Sequence, residues 1–427
     1  MKKTRILFDC SAPLVGGGAV VSLYRLLSRL DRDRYEPIIL VHEFSGNEAY
    51  LPKFVELGIE VIWLRKIEAG QLSSREQRAK DKYGKGKLGQ CLSAVKRALP
   101  PLRAAHEAYK IRQRYAGEEL PRSREIERLL REREIDLLYL NDSFRNHRGD
   151  ILAARRAGVP SLCHTRVFDE IQPYDRKTLR QVDYFVHMST AIENHIQQHW
   201  PHASGQVVYD GLDLDEYRKE YDVAGIRAQY GLAPDDFVIG NVGRLVQWKG
   251  QDVFIRALGK VARQAPDLKG LIVGCPDSGH ERFLDELKAL AKSEGVENRV
   301  VFAGFCLEVA PVLAAMDVNV HSSSKPEPFG IVVIEALASG KPIIATRAGG
   351  PLDSVKDNVD GLLVPLEDPD AMAAALLDLY QNRDKVAAMG AAGQAKAAEM
   401  FGVDRYAEEM QGVFDALLAR SAAAVTA

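Results

Sequence analysis

Short runs of apolar residues alternate with longer stretches of helical periodicity over two parts of the chain, from Arg5 to about Tyr209 and from Val238 to about Val364. The short runs are rich in β-branched and aromatic residues, which favours strands, and the longer stretches indicate helices between them. Strands connected through helices form parallel sheets. The pattern therefore predicts an α/β protein with two doubly wound, Rossmann-like domains. The strands predicted in the first part are Ile6–Phe8, Pro37–Val41, Val61–Leu64, Asp136–Leu140, Ser161–His164 and Tyr184–Met188, and those in the second are Phe237–Val242, Leu271–Val273, Val300–Phe302, Val318–His321, Pro342–Ala345 and Leu362–Val364.

A polar stretch, Leu214 to Pro234, separates the two parts and contains no strong strand pattern. Glycine and proline within it favour a connection, so we place the domain boundary near Tyr221. The chain after Pro369 is helical and Ala-rich, and glycines are expected to break it at Gly390, Gly393 and Gly402. These features predict domains at 1–221 and 222–402, and a last helix, 403–427, that packs back toward the first domain.

Composition narrows the function classes. Of the 427 residues, 46% are hydrophobic and 27% are charged, which is too apolar for a disordered chain, and the formal net charge of -2 indicates no nucleic-acid partner. The five cysteines show no Cys-x-x-Cys spacing, so we expect no structural zinc and no disulfide framework. Apolar runs are too short for a signal peptide or for a membrane span of about 20 residues, and we therefore expect a cytoplasmic protein.

One segment differs in charge from the rest of the molecule. Between Arg75 and Arg114 there are 12 Lys or Arg residues and 3 acidic residues, a net formal charge of +9. This segment lies in an insertion at about 70–125, where residues 92–115 place apolar side chains at roughly helical spacing. An apolar stripe with a basic flank suits the anionic inner face of the cytoplasmic membrane or a phosphate-bearing acceptor. A solvated insertion is an equal alternative.

A glycine-rich turn follows the first predicted strand. Gly16, Gly17 and Gly18 precede a helical run from Val20 to Leu30, and backbone amides at a helix start favour an anion. The turn does not complete a G-x-G-x-x-G motif, because position 21 is valine. We predict Gly17 and Gly18 as ligand-binding residues, with a tight connection as the alternative.

Two basic side chains leave the loop after the predicted strand Phe237–Val242. Arg244 and Lys249 lie at the carboxyl end of this strand, where doubly wound sheets bind ligands. The two cations suit a diphosphate, Arg as a planar fork and Lys as a point charge. An exposed basic loop is the alternative if this signal stands alone.

The segment from His321 to Pro342 contains two glutamates eight residues apart. Two prolines extend the loop around Glu327, and Gly330 opens a helix that carries Glu335 roughly 12 Å away at most. Carboxylates accept hydrogen bonds from neighbouring hydroxyls such as those of sugars and ribose, and the helix start suits a phosphate between them. The segment therefore predicts a site for one elongated ligand.

Together these motifs resemble those of the retaining family 4 glycosyltransferases, which have the GT-B fold. The resemblance is strong from about Val238 to Pro369 and includes the sequences at 301–305, 345–350 and 360–365. In the first half it is weaker and rests on the Gly16–Gly18 turn and on residues 210–213. The resemblance implies two Rossmann-like domains facing a central cleft. It also implies retaining transfer of a hexose from a UDP-sugar or GDP-mannose to a glycan or lipid-linked acceptor, without a metal or other cofactor.

The resemblance further implies a role for each matching residue. The catalytic residues would be Glu327, Lys249, Arg244 and His164. The donor would contact Gly17, Gly18, Arg244, Lys249, Gly304, Phe305, Glu327, Phe329, Gly330, Ile331 and Glu335, with the diphosphate on the two cations, the base beside Gly304 and Phe305, and the ribose on Glu335. Asn141 and Arg166 would contact the acceptor, and Asp142 is a weaker candidate for the same role.

Several functions stay open at this point. A Rossmann oxidoreductase shares the architecture, but no G-x-G-x-x-G follows a predicted strand. A GT-B sugar phosphorylase, a nucleotide-sugar epimerase and a non-catalytic nucleotide-sugar-binding subunit are the closer alternatives, and the intact basic and acidic motifs argue against the last. The basic insertion favours a lipid-linked acceptor, as used in cell-surface polysaccharide or lipopolysaccharide assembly.

Overall fold

A computed structural model of the protein describes residues 2–10, 17–42, 50–64, 109, 111–277 and 279–426. Most of the basic segment Arg75–Arg114, and with it most of the helix expected over residues 92–115, lies outside this part of the chain. The described residues form two parallel sheets, each covered by helices.

The first sheet contains seven strands in the order β3-β2-β1-β4-β5-β6-β7, all parallel. Its strands are β1 (Thr4–Cys10), β2 (Tyr35–His42), β3 (Glu60–Leu64), β4 (Leu137–Asp142), β5 (Ser161–Thr165), β6 (Tyr184–His187) and β7 (Gly205–Val207). The helices of this part are α1 (Gly18–Ser28), α2 (Leu51–Glu56), α3 (Leu120–Glu132), α4 (Arg148–Ala157), α5 (Asp175–Leu179) and α6 (Thr190–His199), with a π-helical turn at Tyr115–Glu119 and a 3-10 turn at Phe144–His147.

The second sheet contains six parallel strands in the order β10-β9-β8-β11-β12-β13. Two short helices, α7 (Leu214–Arg218) and α8 (Val223–Gln229), lie in the polar stretch before it. The strands are β8 (Phe237–Val242), β9 (Leu268–Val273), β10 (Val300–Gly304), β11 (Val318–His321), β12 (Ile343–Thr346) and β13 (Gly361–Val364). The remaining helices are α9 (Gln251–Val261), α10 (Arg282–Ser293), α11 (Val309–Ala314), α12 (Ile331–Ala338), α13 (Pro351–Ser354), α14 (Pro369–Gln381), α15 (Arg383–Met400) and α16 (Val403–Thr426), with a 3-10 turn at Gln247–Lys249.

Both sheets confirm the predicted doubly wound architecture, since each reverses its strand order beside its first strand. Every strand predicted from the sequence coincides with a strand of the structure. The additional strand β7 has three residues at the sheet edge, which is too few for an alternating pattern to appear in the sequence.

The strand registers place the loops of both sheets around one cleft. In the first sheet β1 pairs with β4, so Cys10 lies beside Asn141, and in the second sheet β8 pairs with β11. Carboxyl ends of adjacent parallel strands meet at one edge of a sheet, and the strand order reverses at these two positions. Residues that follow β4, β8 and β11 therefore converge on the cleft between the domains.

The last three helices correct one prediction and place the end of the chain. Helix α15 continues through Gly390 and Gly393 instead of breaking there, because these glycines allow close packing against α12. A Cβ atom added to Gly390 would lie 2.2 Å from the carbonyl oxygen of Gly340. Helix α16 then returns to the first domain, where Tyr406, Met410 and Phe414 are buried in the same core as β1. Among the described helices, none is long and apolar enough to cross a membrane.

Candidate functional site

A cavity of about 780 Å³ lies between the two domains. Its lining includes most residues that the sequence analysis selected, namely Gly17, Gly18, Arg166, Arg244, Lys249, Phe305, Glu327, Phe329, Gly330, Ile331 and Glu335. Three selected residues do not line it: Asn141, His164 and Gly304. Gly304 ends β10 directly before Phe305, whose side chain is 69% exposed at the cavity.

Two helices begin at this cavity and point their amino ends toward it. Helix α1 of the first domain starts at Gly18, and helix α12 of the second starts at Ile331 after Gly330, which has a φ of 86°. A Cβ atom on Gly18 would lie 3.2 Å from Ile331 Cδ1, so the two helix starts nearly touch. Since helix starts carry partial positive charge and unpaired amides, their convergence favours an anionic ligand.

Glu327 is held by three donors through a single carboxylate oxygen. Its Oε2 accepts from Lys249 Nζ at 2.7 Å and from Ser323 Oγ at 2.9 Å, and lies 3.1 Å from His321 Nε2. Burial raises the pKa of Glu327, but the His321 hydrogen bond and the Lys249 charge outweigh it and lower the pKa to about 2. In the described part of the chain these contacts all involve Oε2, so Oε1 is left for a ligand hydroxyl.

The supporting residues His321 and Ser323 were missed as functional residues by the sequence analysis. Both stand at the end of β11, in the segment that carries Glu327, so their positions after a strand were the available signal. The sequence does not show that their side chains turn toward Glu327 rather than into the core.

The two cations of the second domain differ in their surroundings. Lys249 is largely buried, pairs with Glu327, and places its Nζ 4.3 Å from the centre of the Trp248 ring. Arg244 is 62% exposed and pairs with Asp277 at 3.1 Å. Exposed ion pairs contribute little, so Arg244 can exchange Asp277 for a ligand phosphate at small cost. Lys249 is the fixed cation of the site and Arg244 the movable one.

Glu335 also has a basic partner, and this partner comes from the first domain. Tyr217 donates a hydrogen bond to Glu335 Oε1 at 2.9 Å, and Arg25 Nη2 lies 3.6 Å from the same oxygen. Arg25 and Glu335 are both mostly buried, with exposed side-chain fractions of 12% and 9%. Arg25 therefore links α1 to α12 across the cleft. Sequence reasoning missed Arg25 and Tyr217 because a contact between domains leaves no periodic signal.

The loop that carries Glu327 is seated on two glycines. Glu327 forms an isolated bridge with Gly349, and Gly350 N donates to Glu327 O at 2.8 Å. Gly349 has a φ of 72°, and a Cβ atom there would lie 2.0 Å from the carbonyl oxygen of Glu327. The Ala348-Gly349-Gly350 sequence thus permits a close approach that fixes the position of Glu327.

We expect Gly349→Ala to lower the free energy of unfolding by about 1–3 kcal/mol and to displace Glu327, because the new methyl group overlaps the loop backbone. Thermal unfolding measures the first effect and ligand binding the second. Gly412→Ala is the matched control, since Gly412 lies in α16 with no neighbouring atom within 4 Å. A Gly349→Ala protein as stable as the control would contradict this explanation of the glycines.

His164, which was predicted to be catalytic, does not line the cavity. Its ring is completely buried below the cavity, and its Nδ1 lies 2.5 Å from the Tyr139 hydroxyl and 3.1 Å from Arg166 Nη2. Burial lowers the pKa of His164 well below its ordinary value, and the charge of Arg166 lowers it further. His164 lies within β5, one residue before the end of the strand, and its side chain is buried in the first domain.

Arg166 and Asn141, which were predicted to contact the acceptor, have polar atoms that are engaged inside the protein. Arg166 Nη1 donates to both carboxylate oxygens of Asp210 at 2.8 and 2.7 Å, and its Nε donates to Asn141 Oδ1 at 3.0 Å. Its Nη2 donates to the hydroxyl groups of Ser22 and Tyr406 at 2.9 and 3.2 Å. Asn141 and Asp210 are fully buried, and this network connects α1, β5 and α16.

A buried cluster of two carboxylates and a histidine lies near the end of β1. Asp9, His147 and Asp150 are close enough to share a metal ion, but the Arg122 guanidinium already pairs with both carboxylates. Burial lowers the pKa of His147, while Asp9 and Asp150 outweigh this effect and raise the pKa to about 10. Among the described residues, Arg122 and His147 thus place two positive groups beside the two carboxylates.

Comparison with known proteins places the second domain in a family. Residues 222–396 match the family model of "Glycosyl transferases group 1". The chain is 38% identical over 200 residues to a D-inositol 3-phosphate glycosyltransferase of Nocardia farcinica, covering 45% of this chain and 43% of that one. It is 33% identical over 259 residues to a GDP-mannose-dependent alpha-(1-6)-phosphatidylinositol monomannoside mannosyltransferase of Mycolicibacterium smegmatis, covering 56% of this chain and 66% of that one. The matched regions thus span from less than half to about two thirds of these relatives.

Comparison of structures covers nearly the whole chain. The Anabaena HepE protein, solved in complex with UDP, matches with a TM-score of 0.73 and 24% identity over 97% of this chain and 100% of that chain. Both domains and their relative arrangement are therefore shared at the level of the fold. The chain has the GT-B glycosyltransferase fold, and its residues 222–396 belong to the glycosyl transferases group 1 family.

Proposed function

We propose that the protein is a retaining glycosyltransferase that moves a hexose from a UDP-sugar or GDP-mannose to a glycan or lipid-linked acceptor. The observation that carries this proposal is the convergence of two helix starts and Lys249 on a cavity whose walls carry Glu327 and Glu335. Positive groups at the centre suit a diphosphate, and carboxylates on either side suit the hydroxyls of ribose and hexose. This is the charge pattern of a nucleoside-diphosphate sugar.

The donor then lies along the second domain. Lys249 and the amides after Gly330 bind the diphosphate, and Arg244 leaves Asp277 to join them. Glu335 accepts hydrogen bonds from the ribose, with Arg25 and Tyr217 holding its carboxylate in place. Glu327 offers Oε1 to the hexose, and the exposed Phe305 ring borders the base.

The proposed mechanism of sugar transfer follows from the charges that develop as the donor bond breaks. As the bond between the anomeric carbon and the diphosphate breaks, negative charge grows on the departing phosphate and positive charge on the sugar. Lys249, Arg244 and the two helix starts stabilise the phosphate, and fixed groups of this kind supply a large part of catalysis. The acceptor oxygen bonds to the anomeric carbon on the face that the phosphate leaves, and its proton passes to that phosphate. Configuration is therefore retained without a covalent enzyme intermediate.

The proposed reaction uses no metal or organic cofactor, because protein cations and amides already face the diphosphate. One Asp-x-Asp spacing at the cavity, Asp213 to Asp215, has a different use in the structure. Asp213 caps helix α7 through the Asp215 amide and pairs with Arg29 at 3.2 Å.

The names of the relatives support the acceptor class. The mycobacterial relative acts on a phosphatidylinositol mannoside, which is a lipid-linked glycan, and it takes its sugar from GDP-mannose. We extend this class to the present chain and propose a place in cell-surface polysaccharide or lipopolysaccharide assembly. The same relatives make a sugar phosphorylase or a nucleotide-sugar epimerase less favoured.

We also propose a cytoplasmic enzyme that acts at the inner face of the membrane, bound through the basic segment Arg75–Arg114. Its net charge of +9 supports attraction to anionic lipid. Flotation with anionic vesicles tests this proposal, and neutralising the lysines between 80 and 87 should reduce the bound fraction.

Donor binding tests the proposed function directly. The wild-type protein is screened by thermal shift with UDP-glucose, UDP-galactose, UDP-N-acetylglucosamine and GDP-mannose, and release of nucleoside diphosphate is then measured with acceptors. One donor is expected to stabilise the fold, because a ligand that binds only the native state adds about 2.7 kcal/mol at 100 times its Kd. Inorganic phosphate dependence would indicate a phosphorylase, and conversion without an acceptor an epimerase.

Arg244→Ala should weaken binding of that donor by roughly 10- to 100-fold through loss of a charge-assisted phosphate contact. The fold should be unaffected, since Arg244 is mostly exposed. Arg263→Ala is the control, because Arg263 is also exposed in the second domain but lies outside the cavity lining. Equal donor affinities in the two variants would contradict the placement of the diphosphate.

A further inference from the structure

Asp142 has a backbone conformation that sets it apart from the other described non-glycine residues. Its φ is 109°, whereas Glu134, Asn358 and Glu367 have positive φ values between 49° and 61°. The smaller values belong to the left-handed helical region, which short turns use at modest cost. Asp142 lies outside that region and ends strand β4. Residues held in such conformations cluster at functional sites, where surrounding contacts maintain them.

The contacts around Asp142 hold this conformation from both sides. Arg166 N donates to the carbonyl oxygen of Asp142 at 3.1 Å, and Asp142 pairs with Thr165 in the ladder to β5. On the other side, Ser143 Oγ donates to Asp169 Oδ1 at 2.5 Å and accepts from Arg145 N at 3.1 Å. The unusual φ is therefore imposed by the framework, and its result is that Asp142 lines the cavity.

The carboxylate of Asp142 has no protein partner among the described residues, in that no hydrogen bond or ion pair joins it to them. Neighbouring carboxylates of the same domain are treated differently: Asp150 is paired with Arg122, and Asp210 with Arg166. Burial raises the pKa of Asp142, while the positive charges of His147 and Arg166 oppose the rise. Asp142 is partly exposed at the cavity, and a carboxylate without a protein donor there is free to accept hydrogen bonds from a ligand.

We infer that Asp142 is an acceptor-binding residue whose carboxylate receives hydrogen bonds from hydroxyl groups of a sugar or polyol acceptor. This inference rests on the proposed function, which places the nucleoside and the hexose of the donor on the second domain and leaves the cavity wall at the end of β4 to the acceptor. A carboxylate accepts from two neighbouring hydroxyls and repels phosphate, so any phosphate or lipid of the acceptor lies away from Asp142. Asp142 takes the role that the sequence had assigned first to Asn141 and Arg166.

Acceptor kinetics test the inference with p-nitrophenyl hexosides as acceptor probes and the donor identified by thermal shift. We expect Asp142→Asn to raise the acceptor KM about tenfold and Asp142→Ala to raise it further, because a hydrogen bond to a charged group is lost. The donor KM should change less than about twofold by the same argument, since donor and acceptor sites are separate. Asp235→Asn is the control, because Asp235 is exposed and outside the cavity.

The strained backbone provides a second readout. Asp142→Gly removes the Cβ atom that makes this φ unfavourable, so it should unfold at or above the wild-type temperature while its acceptor KM rises like that of Asp142→Ala. Lower unfolding temperatures in all three variants would show that Asp142 only supports the fold and would overturn the inference. Unchanged acceptor KM values, or a wild-type protein that transfers to no hexoside although it cleaves the donor, would also overturn it. A wild-type protein that cleaves no donor contradicts the proposed function itself, and this assignment falls with it.

Discussion

Glu327→Gln is expected to reduce sugar transfer by two to three orders of magnitude while leaving the affinity for nucleoside diphosphate equal to or higher than that of the wild type. The carboxylate is ionised at any working pH, since its pKa is lowered to about 2, and it neutralises Lys249 at 2.7 Å. A neutral amide releases that positive charge, which then has the phosphate as its partner. Turnover should therefore fall, while the affinity for nucleoside diphosphate stays the same or rises.

The experiment compares turnover, measured as nucleoside diphosphate release, with calorimetric binding of UDP and GDP. Glu297→Gln serves as the matched control, because Glu297 is exposed on the same domain and lies outside the cavity. Parallel loss of turnover and of diphosphate affinity in Glu327→Gln would mean that the loop itself has moved. Turnover equal to that of the control would remove Glu327 from the reaction.

Arg166→Ala is expected to lower the free energy of unfolding by about 3–5 kcal/mol. The substitution leaves Asp210 as a fully buried charge without its guanidinium partner and withdraws donors from Ser22 and Tyr406. Because the network joins α1, β5 and α16, its loss affects the whole first domain. Denaturant titration followed by circular dichroism measures the change.

Two further variants make this prediction specific. Arg29→Ala should cost at most about 1 kcal/mol, because Arg29 is 39% exposed and its ion pairs with Asp213 and Asp404 are screened by water. Combining Arg166→Met with Asp210→Asn should recover part of the lost stability, since neither charge is then left unpaired. A stable Arg166→Ala protein with a raised acceptor KM would instead restore the acceptor role predicted from the sequence.

The architecture was predictable because each strand is a compact run of apolar residues and each connection has helical periodicity. The sequence also selected the motif residues Lys249, Glu327 and Gly330, which line the cavity, since their spacing reports local backbone geometry after a strand. What the sequence could not give is the direction of a side chain at a strand end. His164 and Asp142 both lie at the carboxyl ends of strands of the first sheet. The His164 ring is nevertheless buried in the core, whereas Asp142 lines the cavity.

Contacts between the two domains could not be predicted from the sequence either. The Arg25 to Glu335 pair joins residues more than 300 positions apart, and the hydrogen bond from Thr190 N to Asp353 Oδ2 at 2.7 Å spans 163 positions. No local pattern encodes such distances. The same limit applies to Gly390 and Gly393, which look like helix breaks until their close neighbours Gly340 and Leu337 are known.

The path of helix α16 has a consequence for how the protein is made. Its residues Tyr406, Met410 and Phe414 fill the core beneath β1, and the Phe414 ring lies 6.3 Å from that of Phe8. During synthesis on the ribosome, the first domain, residues 1–221, is complete in sequence well before the segment that fills its core, which begins at Val403. The second domain, by contrast, can close its own core soon after it emerges, so we expect the later-made half to mature first and the amino-terminal half to wait, exposed to chaperones, until α16 has been made.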